Sequence, residues 1–150
     1  MTQTKVEAPF VENNANFRNL IINGDMSIFQ RATATTTVTS GEYQTADRFK
    51  LYENTDGAYT AELENLSVAD QATTGQRTAL ELNVTTADGT IGASQFAAIY
   101  HPIEAQFLQH ILYGTSAAKD LTLSFWVKSN KTGTYCCLLY TSTLPTIYSV

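Results

Sequence analysis

At 150 residues the chain suits one domain with a single sizeable core, and its 43% hydrophobic content argues against global disorder. Only 15% of residues are charged, against roughly 25% in ordinary soluble domains, so neutral side chains must carry the polar surface. The net charge of −5, with no basic stripe, argues against nucleic-acid binding, which needs clustered Lys or Arg to neutralise phosphates.

Residues 1–18 are polar and aperiodic and read as an extended N-terminal arm. The first fifteen residues lack the apolar stretch of a secretory signal, and no run approaches the length of a membrane helix. Synthesis in a cytoplasm without membrane insertion is therefore expected. From Asn19 onward, short apolar runs alternate with turn residues. The first, 19–29, reads as a strand broken at Asn23-Gly24-Asp25, and a threonine-rich loop follows over 32–41. A second strand spans 43–53 and a third 58–66. Between them Asn54-Thr55-Asp56-Gly57 is the best hairpin signal in the chain.

Residues 67–77 read as a polar loop. In 78–85, Leu80, Leu82 and Val84 share one face, and Ala87-Asp88-Gly89 turns the chain towards a strand at 94–103. Phe107, Leu108, Ile111 and Leu112 have helical spacing, which predicts one short connector helix over 104–113. The clearest alternation lies in 121–129. There Leu121, Leu123, Phe125 and Val127 point one way, and Thr122, Ser124, Trp126 and Lys128 the other. Asn130-Lys131-Thr132-Gly133 then leads into a strand at 134–141. After Pro145 a new strand opens with nothing to close it, so the chain reads as a fragment of a longer protein.

Seven or so strands without βαβ alternation predict an all-β antiparallel sandwich over 19–150, with one connector helix. Cys136 and Cys137 are sequence neighbours on a strand, point to opposite faces and read as small hydrophobes, not a disulfide.

Residues able to carry chemistry are few. Asp25, Asp47 and Asp56 sit in or near turns and offer oxygen to a structural calcium ion, but without the dense acidic spacing of a dedicated loop. No other cofactor is expected. His101 and His110 lack zinc-ligand spacing and read as structural. Glu62 and Glu64 share a strand face, as a glycosidase pair would, yet a solvated outer surface explains them more simply. Asp47-Arg48-Phe49 reads as a fixed ion pair anchoring a loop at the start of a sheet. Trp126 is the single tryptophan. Core packing under a second layer or loop, with the indole N–H satisfied, is the expected role of Trp126; with Thr122, Ser124 and Lys128 on its face it is also the candidate carbohydrate-stacking platform.

One resemblance extends this reading. The order Asn19-Leu20-Ile21-Ile22-Asn23-Gly24, then Gln30-Arg31, a Thr-rich loop and Asp47-Arg48-Phe49, is completed by LTLSFWVKS at 121–129 and Gly133-Thr134-Tyr135. It resembles the carbohydrate-binding-module-like jelly-roll domain of bacteriophage tail-fibre and other virion structural proteins, those of marine phages especially. The resemblance implies a galactose-binding-like jelly roll without enzymatic activity, located on the virion. It also implies homo-oligomeric assembly with other virion subunits and contact with a host-surface glycan. An accessory domain of a polysaccharide depolymerase is the alternative. The family's closing strands would follow Val150, so the sandwich is expected to lack them. Within the resemblance, the Asn-Gly-Asp step would be a bulge letting one strand change sheets.

Overall fold

The computed structural model describes residues 19–140 and 145–149; the expected N-terminal arm, 1–18, lies outside the described residues. The regular structure of the described residues is mostly strand, in antiparallel sheets, with short helices between them. The elements are β1 (Thr36–Thr37), β2 (Lys50–Asn54), β3 (Ala58–Asn65), α1 (Val68–Thr74), β4 (Thr78–Thr86), β5 (Phe96–Tyr100), α2 (Ala105–Leu108), a 3-10 turn (Gln109–Ile111), β6 (Cys136–Tyr140) and β7 (Pro145–Ser149). They form three sheets, ordered β1-β3-β4, β2-β5 and β6-β7.

The period-2 pattern explains the largest sheet. Ala61 stands opposite Leu82, Leu63 opposite Leu80 and Tyr59 opposite Val84, so the apolar residues of β3 and β4 share one face. The other face sets Glu62 against Glu81, a like-charge pair that belongs towards water. Thr35 donates its hydroxyl to Glu62, and Glu64 is exposed. The two glutamates thus form a solvated outer surface. The second sheet pairs Leu51 with Ile99 and Lys50 with Tyr100. Among the described residues the buried apolar side chains are Ala46, Phe49, Leu51, Ala61 and Ile111, joined by the buried Thr45. This core is small, and residues 45–51 supply most of it.

The broken apolar run near the start of the chain is not a strand. Residues 21–25 form a turn, closed by the Met26 amide on the Asn23 carbonyl at 2.9 Å. Asn23 has φ +59°, in the left-handed region that Asn tolerates better than most side chains. Its amide group donates to the Ile28 and Asp47 carbonyls, both at 3.0 Å. Its oxygen accepts from the Ser27 and Ile28 amides at 3.1 and 3.0 Å. Met26 reaches β4, accepting from Thr78 Oγ1 through its carbonyl at 2.9 Å and from the Leu80 amide through sulfur at 3.3 Å. The step expected to be a bulge is therefore a clamp: it ties the β3-β4 sheet to the segment that leads into β2.

Other expectations are corrected by tertiary contacts. The Asn54–Gly57 stretch does not close a hairpin, because β2 pairs with β5 and β3 with β4. A tight hairpin turn needs positive φ at its central residues, and neither Asp56 nor Gly57 has it. The turn instead docks on the far end of β4. The Asp56 amide donates to Asp88 Oδ2 at 3.0 Å, and a Cβ on Gly57 would stand 2.8 Å from the Thr86 carbonyl oxygen. That close approach is why glycine is required there. The second strand is shorter than its apolar pattern suggests, since Arg48 at φ +73° breaks extended backbone just before Lys50. The threonine loop contributes β1, which lies on β3 with Thr36 opposite Ala61.

The loop expected at 67–77 contains α1. Ser67 caps it, accepting from the Asp70 amide at 3.2 Å, and Gly75 ends it in the left-handed conformation at φ +72°. The connector helix is found, shortened to α2 and its 3-10 turn. Residues 121–129 are in no sheet: no ladder forms along them, and both alternating faces are exposed. The alternation is present, but pairing makes a strand, and among the described residues nothing pairs. The last run is β7, which pairs antiparallel with β6 on one side; among the described residues its other edge has no partner strand. Cys136 and Cys137 are free thiols, one exposed and one half-buried.

Candidate functional site

Two surfaces carry side chains suited to recognition. The first is the unpaired ribbon, 121–129. Trp126 is 66% exposed, which corrects the expectation of core burial: among the described residues no second layer covers it. Thr122, Ser124 and Lys128 are exposed as well. Lys128 is fixed from outside the ribbon, donating to Asp70 Oδ2 at 2.9 Å. Asp70 is itself held by the Ser67 hydroxyl at 2.6 Å, and these two bonds, Ser67 first, keep its carboxyl below the ordinary aspartate range. One solvent-exposed ion pair thus links the cap of α1 to one end of the ribbon. Tyr135 is also exposed, its hydroxyl 2.7 Å from Ser129 Oγ and 3.1 Å from the Lys131 carbonyl.

The second surface is a cleft of about 220 Å³ lined by Gln30, Arg31, Tyr43, Asp47 and Arg48. Arg31 Nη1 donates to Asp47 Oδ1 at 2.9 Å, and its guanidinium lies 5.5 Å from the Tyr43 ring centre. Lys50 Nζ is 4.5 Å from the same centre, within cation–π range. Arg48 Nη2 donates to Glu104 Oε1, and that bond and charge keep Glu104 below the ordinary glutamate range. Arg48 Nε is buried without a partner. The acid–base anchor expected at Asp47-Arg48 exists as two separate bridges, to Arg31 and to Glu104.

Compared with known proteins, the chain matches no family model, no curated protein and no solved structure.

His101 borders this region. Its Nε2–H donates to the Ile22 carbonyl at 3.1 Å, and its ring meets Phe49 edge-on at 4.8 Å. Nδ1 is buried with no partner, so a second proton there would be a stranded donor. Burial pushes the imidazole below the ordinary histidine range; the Ile22 bond opposes this and the Arg48 charge reinforces it. The sign for stability follows from linkage. As pH falls through the ordinary histidine value near ~6.5, the unfolded chain takes up a proton that the folded chain refuses. Unfolding free energy from urea titrations is therefore expected to fall between about pH 7.5 and pH 5. His101→Gln should flatten that slope, and an unchanged slope would count against the assignment.

The aspartates considered for calcium are apart in use: Asp47 binds Arg31, while Asp56 accepts from Gln95 Nε2 at 3.4 Å. Among the described residues no three His, Cys, Asp or Glu side chains group to hold a metal ion. The cleft itself escaped sequence reasoning. Its residues come from 30–31, 43 and 47–48, with no periodic spacing to link them.

Proposed function

We propose that the chain is a non-enzymatic, oligomeric component of a phage particle surface, a jelly-roll module that assembles with other virion subunits and attaches to host-surface glycan. The observation that carries the attachment reading is the exposure of Trp126 beside Thr122, Ser124 and Lys128. An indole face offers a stacking surface, and hydroxyls with a fixed ammonium offer partners for sugar hydroxyls. Repetition around an oligomer would raise weak single-site binding by avidity, without any new contact.

The single tryptophan makes the test direct. Acrylamide is expected to quench Trp126 fluorescence strongly in the free chain. A bacterial surface polysaccharide that binds should protect it, and Trp126→Ala should weaken that binding, measured by titration calorimetry, about tenfold, roughly 1.4 kcal/mol. An unprotected Trp126 across a broad polysaccharide panel would leave assembly as the role. Turnover of a bound polysaccharide would favour the depolymerase alternative.

A further inference from the structure

We propose that the cleft formed by Gln30, Arg31, Tyr43, Asp47 and Arg48 is a second recognition site, one that takes a carboxylate-bearing sugar residue such as a uronic acid. It shares no residue with the Trp126 surface and goes beyond that reading by naming the acidic class of the sugar.

Charge is the first ground. Arg31 and Arg48 line the cleft with Asp47, while Lys50 lies over the Tyr43 ring and Glu104 pairs with Arg48, so three positive groups stand in or beside the cleft against two carboxylates. A local positive balance is unexpected on a chain of net charge −5. Hydrogen-bonding capacity is the second. Arg31 gives a single bond to Asp47 and keeps the rest of its donor fork, which matches a carboxylate; Arg48 gives one bond to Glu104 and, with its Nε buried, adds mainly its charge. Arg31 is half exposed, so its remaining donors face solvent.

Backbone strain is the third. Arg48 is held at φ +73°, a conformation that is unfavourable for an arginine and persists only when its surroundings impose it. The Asn23 bond to the Asp47 carbonyl and the Phe49 amide bond to Ala46 at 3.2 Å impose it here, bracketing the residue that lines the cleft.

The same lining distinguishes an acidic sugar from a bare anion. Asp47 would repel a free sulfate or phosphate, but its carboxylate accepts from a sugar hydroxyl, and the Gln30 amide both donates and accepts. A polyol bearing one acid satisfies the whole set. The volume is below the range of drug-sized pockets, which suits one sugar ring.

The test uses the uniformly 15N-labelled chain, titrated at constant ionic strength with sodium glucuronate, glucose and sodium sulfate in parallel. Glucuronate is expected to give saturable shifts in the Nε–H signals of Arg31 and Arg48 and in the Tyr43 amide. Glucose should bind at least about tenfold more weakly, and sulfate should give no saturable shift. Arg31→Lys keeps the charge but loses the planar fork, and should weaken glucuronate about tenfold. Trp126→Ala should bind glucuronate unchanged, which separates this site from the proposed attachment surface. Absence of saturable shifts with glucuronate would overturn the proposal, as would sulfate or glucose matching it. Should Arg31→Lys fail to fold, the ligand comparison on the unaltered chain still decides.

Discussion

Phe49→Ala is expected to lower the unfolding free energy by about 3–5 kcal/mol, the range for truncating a buried aromatic. Phe49 is the sole aromatic among the buried apolar side chains described, and its companions Ala46, Leu51, Ala61 and Ile111 are smaller. So thin a core has little material with which to fill the space left behind. Total stabilities of about 5–15 kcal/mol make this a large fraction of what holds a domain together. Urea denaturation followed by far-UV circular dichroism should show the midpoint falling with the slope unchanged. A second signature comes from His101, which loses its edge contact at 4.8 Å and gains water. Its pKa should move back towards the ordinary value, weakening the pH dependence of stability. A change under about 1 kcal/mol would show that the core is built otherwise.

The second large effect is expected at the clamp. Asn23→Ala removes four side-chain hydrogen bonds and places a Cβ-bearing residue without a local partner at φ +59°. The left-handed conformation alone disfavours alanine by about 1–2 kcal/mol, and the stranded carbonyls and amides add to it. A loss of about 2–4 kcal/mol is the expectation. Asn23→Gly keeps the backbone freedom and should be milder by about 1 kcal/mol. Asn23→Asp keeps the accepting oxygen but turns a carboxylate on the Ile28 and Asp47 carbonyls, where two donors stood. Thermal unfolding of the three variants should rank alanine below glycine. Equal midpoints for those two would mean that the backbone conformation contributes nothing.

What the sequence revealed was local. Leu80, Leu82 and Val84 fix β4 through alternation alone, and β3 falls within a residue of its expected end. The signals for α1 were present in Ser67, Asp70 and Gly75, but a polar segment with Val68 84% exposed has no apolar stripe to announce a helix. Asn54-Thr55-Asp56-Gly57 has the composition of a hairpin turn, while the pairing of its flanking strands is decided elsewhere, by Ile99 against Leu51 and Leu82 against Ala61. For the same reason Asn23 was read as an irregularity: its partner Asp47 lies far along the chain. The Trp126 face was legible because four of its members are close in sequence. The cleft was not, because only folding brings Arg31 to Asp47 and Arg48 to Glu104.

The unpaired ribbon has a consequence for how the chain behaves in a crowd of its own copies. Residues 121–129 combine branched and aromatic side chains with a backbone edge that pairs with no strand among the described residues, the composition that templates intermolecular β-pairing. One charge, Lys128, interrupts them, the device by which such segments are kept apart. That charge is already engaged by Asp70, so its protection is partly neutralised from within the molecule. The lysine that borders the proposed attachment surface is thus also the one whose charge holds it back from self-association, and solubility and recognition are tied to the same side chain.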